Sequence, residues 1–134
     1  MREILFRGKR TDNGEWVYGN YYIAEKLDKS GVEYFIIEIE AEGSQYYVIP
    51  ETVGQYTGLE DKNGKKIFEG DILKFTDADG RDVYLNVVFE NGAFLIEEDG
   101  VINSDLMPSY DCLGVEVIGN IYDNPELLKG CEQE

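Results

Sequence analysis

The feature that most constrains this chain is a succession of short apolar runs in two-residue alternation, separated by turn signals. "VYLNVVF" (83–89) sets Val83, Leu85, Val87 and Phe89 on one side of an extended chain, and "EYFIIEIE" (33–40) does the same for Phe35, Ile37 and Ile39. Successive side chains on a strand point to opposite faces, so both segments read as half-buried strands. Further strands are predicted at 3–9, 15–24, 45–50, 71–76, 93–98 and 115–122. That many short strands with frequent turns imply a mainly β fold, a small partly open β-barrel or a sandwich of antiparallel strands.

Punctuation between the runs supports this reading. Asn13-Gly14, Asn63-Gly64 and Asn91-Gly92 each precede a new apolar run, and Asp79-Gly80 is a fourth turn of the same kind. Asn-Gly suits a type I′ hairpin, whose two central residues both need positive φ. Helix is expected only near the end, where "DNPELLKG" (123–130) offers Asn124 as cap, Pro125 at the first helical position and Gly130 as a stop. "PETVGQY" (50–56) reads as a second short turn. With 134 residues and no linker or low-complexity stretch, one domain over residues 1–134 is expected.

Charge is uneven. The net value is −16; residues 1–67 carry 9 basic and 12 acidic side chains, residues 68–134 carry 3 and 16. So acidic a second half repels a phosphate backbone and argues against a nucleic-acid partner. The basic cluster, Arg2, Arg7, Lys9 and Arg10, is small. Cys112 and Cys131 make a poor disulfide framework and neither has a basic neighbour to lower its thiol pKa. No run approaches the roughly 18 apolar residues of a membrane helix, and no apolar leader opens the chain, so a cytoplasmic protein with reduced thiols and no membrane partner is expected.

Chemistry is sparse. Histidine is absent, which removes Ser-His-Asp and Cys-His catalysis and the usual zinc hydrolases. "YTGLEDKNGKKIFEGDIL" (56–73) spaces Gly58, Gly64 and Gly70 six apart, but Gly64-Lys65 is followed by Lys66 where a P-loop needs a hydroxyl. An EF-hand centred on Gly64 would need ligands at Leu59 and Gly70, and one centred on Gly80 would need Phe75. The stretch is scaffold on this reading: Gly64 in a hairpin turn, Gly70 at a strand corner where Asp71 accepts a local amide, and Gly58 in the turn before them.

Three weaker candidates stand beside it. Asp77, Asp79 and Asp82 crowd one hairpin tip and read either as a weak cation site or as the commoner solvated turn acids. Glu69 and Asp71 share a strand face as a catalytic carboxylate pair would, without any partner acid or base nearby. Trp16, Tyr18, Tyr21 and Tyr22 beside the basic residues raise a single-stranded nucleic-acid platform, against ordinary packing of aromatics in a sheet. No catalytic, cofactor or metal residue is assigned.

Three blocks carry a family resemblance: "REILFRGKRTDNGEWVYGNY", "VIPETVGQYTGLEDKNGKKIFEGDIL" and "VIGNIYDNPELL". Their order and spacing resemble the YopX family of bacteriophage and prophage proteins over nearly the whole chain; residues 77–112 lie outside the distinctive blocks. The resemblance implies a phage or prophage origin and a mainly β fold, and it supplies neither an activity nor a catalytic residue. The expected function is a non-enzymatic β module that binds a host or phage protein or a second copy of itself. The alternatives are an acidic mimic of nucleic acid that blocks a host DNA-binding protein, and a divalent-metal hydrolase.

Overall fold

The computed structural model describes residues 3–39, 43–98, 100–105 and 114–128; Arg2, Cys112, Cys131 and Gly130 lie outside the described residues. The chain is mainly β, in two antiparallel sheets that stay open. It divides into two compact units, Met1–Tyr56 and Thr57–Glu134.

In the first unit, β1 (Phe6–Lys9), β2 (Trp16–Glu25), β3 (Val32–Ile37) and β4 (Gln45–Tyr47) lead through a 3₁₀ turn at Pro50–Thr52 into β5 (Gly54–Glu60). The strand order is β4-β3-β2-β1-β5. Val17, Ile36 and Val48 are buried, with Phe6, Tyr21, Tyr34, Tyr46 and Val53 packed against them. An isolated Arg10↔Val48 bridge and a bond from the Thr11 amide to the Tyr47 carbonyl (3.0 Å) hold the chain after β4 against the end of β1.

The second unit holds the rest of β5, then β6 (Lys66–Phe68), β7 (Asp71–Thr76), β8 (Asp82–Glu90), β9 (Ala93–Glu98), β10 (Val101–Asp105) and β11 (Val115–Asn120). The last five form a sheet of order β10-β9-β8-β7-β11. Its core follows from alternation: Leu85 and Val87 of β8 meet Leu73 and Ile96 across the ladders, and Val115, Val117 and Ile67 complete the cluster. Each fully buried aliphatic side chain here stabilises by about 1.5–3 kcal/mol. Residues 126–128 are helical, and the Leu127 amide bonds the Asn124 carbonyl at 3.0 Å. The Asn124 side chain accepts the Asn120 amide.

Two local expectations change. In β3 the register pairs Tyr21 with Ile36 and Tyr22 with Phe35, so Ile36 is buried and the Phe35/Ile37 face turns outward. Alternation shows which residues share a face; the neighbouring strand decides which face is inside. Of the turns, Asn91-Gly92 has both φ values positive (54° and 81°) and joins Glu90 to Ala93 as a two-residue hairpin. At Asn13-Gly14, Asn63-Gly64 and Asp79-Gly80, glycine alone has positive φ. In the last two, an aspartate side chain organises the loop: Asp61 Oδ1 accepts the amides of Asn63 and Lys65, and Asp77 Oδ1 those of Asp79 and Arg81. The carboxylate thereby favours a longer loop over the type I′ turn. Gly58, expected in a turn, lies inside β5 with φ 91°.

Candidate functional site

Alternation along β2 divides the aromatic run. Tyr21 turns inward, its ring 5.8 Å from Phe6, and burial, followed by Tyr34 and Glu51, pushes its phenol pKa up. Trp16, Tyr18 and Tyr22 take the opposite face. Across the ladders that face continues as Tyr22↔Phe35↔Tyr47. The Tyr22 and Phe35 rings stack at 5.5 Å, and Phe35 meets Tyr47 edge-on at 6.3 Å. Tyr22 keeps 42% of its surface exposed and Tyr47 50%. A row of three aromatic rings thus crosses three strands on the surface.

The ladder opens onto a depression of about 530 Å³ lined by Ala24, Glu25, Lys26, Leu27, Asp28, Glu33, Phe35, Gln45 and Tyr47. Glu33 pairs with Ala24 one step along the same face from Phe35. Asp28 accepts the Ser30 amide and sits below its ordinary pKa, chiefly through hydrogen bonds from Ser30. Sequence reasoning singled out Tyr22 but neither Phe35 nor Tyr47. The period-two spacing of Phe35 was visible; its partner across β4 was set by pairing.

Arg7, Lys9 and Arg10 are engaged locally. Arg7 is buried with its guanidinium 4.6 Å from the Trp16 ring centre, and Lys9 Nζ lies 5.7 Å from it. Arg10 forks onto Asp12 (2.9 and 2.7 Å) and lies 4.4 Å over Tyr46. That fork raises the Arg10 pKa and lowers that of Asp12.

Of the acidic candidates, Asp71, Asp77, Asp79 and Asp82 are held by local partners. Asp71, 1% exposed, accepts the Phe68 amide at 2.7 Å as the chain turns through Gly70, which is the corner expected there. At the β7–β8 tip, Arg81 lies 3.4 Å from Asp77 and 3.6 Å from Asp79, and Asp82 accepts the Thr76 hydroxyl with Lys74 3.9 Å away. Among the described residues, no three His, Cys, Asp or Glu side chains gather as a metal site. This tip and Glu90 lie at opposite ends of β8, and Glu116 stands on β11 near Lys62 (3.8 Å).

Asp61 is the carboxylate that sequence reasoning passed over. It is 6% exposed and takes three amides, those of Asn63 and Lys65 through Oδ1 and that of Val117 through Oδ2. Burial pushes its pKa up, and the amides of Val117, Lys65 and Asn63 outweigh this, so it settles below the ordinary value. With the Lys62 amide on the Val115 carbonyl (3.0 Å), the β5–β6 loop covers the free edge of β11, as an edge strand requires. No described helix is long and apolar enough to cross a membrane.

Among solved structures, a crystal structure of protein EF1440 from Enterococcus faecalis is similar to 96% of this chain and 99% of its own, at 28% identity and TM-score 0.58. No curated protein matches the sequence. The family model described as YopX protein matches residues 5–129, the span that holds both sheets, the Asp61 loop and the Gly70 corner, and the chain therefore belongs to the YopX family.

Proposed function

We propose that this chain is a non-catalytic β module that binds another protein, with the Tyr22–Phe35–Tyr47 ladder as its contact surface. The carrying observation is the ladder itself: three mutually packed rings on an outward sheet face, with Tyr22 and Tyr47 well exposed. Large aromatics, tyrosine above all, are enriched where proteins meet, because each offers a rigid apolar face and a polar tip at small entropic cost. The non-catalytic reading is supported by carboxylates committed to backbone amides at Asp61 and Asp71 and by the missing histidine. The setting that fits the family is the cytoplasm of a phage-infected or lysogenic cell, with a host or phage protein as partner.

Affinity capture from such cells tests this, comparing wild type with Tyr22→Ser/Tyr47→Ser. A protein retained by wild type and lost from the variant is the expected result. Identical capture profiles, with both proteins folded by circular dichroism, overturn it. Sedimentation equilibrium identifies the partner as a second copy if wild type associates and the variant does not.

A further inference from the structure

The rim of the depression beside the ladder carries three carboxylates, Glu25, Asp28 and Glu33, against one cation, Lys26. Among the described residues neither Glu25 nor Glu33 has an ion-pair partner, and Asp28 is bonded to Ser30, which leaves its charge uncompensated. Glu33 is half-buried and shares its face with Phe35. Ring faces beside unpaired carboxylates form a setting that favours a cation: a guanidinium or ammonium gains from the ring quadrupole while its N–H groups reach the carboxylate. A phosphate chain would meet the same carboxylates as repulsion.

Resting on the protein-binding reading above, we infer that the occupant of this surface is a cationic segment of a partner protein, its arginine or lysine side chains laid over Tyr22, Phe35 and Tyr47 with Glu33, on the same sheet face, as counter-charge. The net charge of −16 reinforces the choice, since long-range attraction brings a basic segment toward the whole molecule before the rim selects its position. Lys26 is the cation that lines the depression; elsewhere in the unit, Arg10 is engaged with Asp12, and Arg7 and Lys9 are beside Trp16.

The test uses a fluorescein-labelled Arg-Gly-Ser repeat peptide, read by anisotropy against the full chain, with a Glu-Gly-Ser repeat and oligo-dT as parallel probes. Saturable binding of the arginine peptide that weakens with salt is expected. It should weaken about tenfold in Glu33→Gln and again in Tyr22→Ser/Tyr47→Ser, in keeping with the size of charge-assisted cation–π contacts. The glutamine variant changes shape least and guards against a folding artefact. The inference is overturned if wild type does not bind the arginine peptide, if the glutamine variant binds it as tightly as wild type, or if oligo-dT binds more tightly. If capture from cells still depends on Tyr22 and Tyr47 while the peptide fails, the contact surface stands and its cationic specificity falls. If capture does not depend on them, the contact surface itself is wrong.

Discussion

The Asp61 carboxylate accepts the Val117 amide at 2.9 Å across 56 residues of chain. One oxygen shapes the β5–β6 loop and the other accepts an amide on the outer edge of β11, so a single side chain sets a turn and ties it to a sheet edge. An aspartate in a sequence full of aspartates gives no sign of this. Its burial, together with the loop that carries it to β11, separates it from Asp77, which organises the same local loop at an exposed tip.

That pair makes the first prediction. Asp61→Asn places an amide N–H₂ against one of three backbone donors and should lower unfolding free energy by about 1–3 kcal/mol. Asp77→Asn, at the solvated tip, should stay within about 0.5 kcal/mol of wild type. Urea denaturation of both variants decides; equal losses would show that the Val117 bond adds nothing.

The second concerns acid. Asp61 titrates below its ordinary value of 3.8 in the folded chain, so the native state binds that proton less readily than the unfolded chain does. Its stabilising contribution is therefore full above the unfolded pKa and is lost as pH falls through the lower folded pKa. Wild type should lose more stability than Asp61→Asn on acidification through that window. Asp12, Asp28 and Asp77 also titrate low and are common to both proteins, so the difference between the two curves isolates Asp61. Parallel curves would contradict the assignment.

Gly70 supplies the third. Its φ of 92° excludes ordinary side chains, and a Cβ there would lie 3.0 Å from Tyr122 Cε2. Its amide and carbonyl are both committed, to the Val87 carbonyl and the Ile121 amide at 2.8 and 2.9 Å. Gly70→Ala should cost about 2–3 kcal/mol, while Gly64→Ala, also at positive φ but with open space around it, should cost about 1 kcal/mol from backbone strain alone. Thermal unfolding of the two variants measures the contrast, and a smaller loss at Gly70 would count against the Tyr122 contact.

A fourth outcome concerns the β7–β8 tip. Arg81 occupies the space between Asp77 and Asp79, so calorimetric titration with millimolar calcium should give no saturable heat. A stoichiometric binding isotherm abolished by Asp77→Asn would reinstate a cation site.

The last concerns Trp16. Arg7 and Lys9 already lie against its ring, so titration with single-stranded oligonucleotide should leave its emission unchanged. Salt-sensitive quenching would restore the nucleic-acid platform.

Much of the fold was legible because alternation and turn residues act locally. The strands at 71–76 and 93–98 fall where the pattern put them, and the core face of β8 was visible in Leu85 and Val87. β5, β6 and β10 were missed because "GQYTGLE" carries two glycines, "KIF" is three residues long and "VINSD" is mostly polar. Their pairing is supplied by neighbouring strands, and strand propensity depends on such context.

By itself, then, the sequence determined a mainly β chain with a corner at Gly70 and a local amide for Asp71, because each rests on residues close in sequence. Tertiary pairing decided that Ile36 is core and Phe35 is surface, that Tyr22, Phe35 and Tyr47 form one ladder, and that Asp61 ties its loop to β11. Those outcomes depend on inter-strand register and on which face the packing covers, and no single strand encodes either.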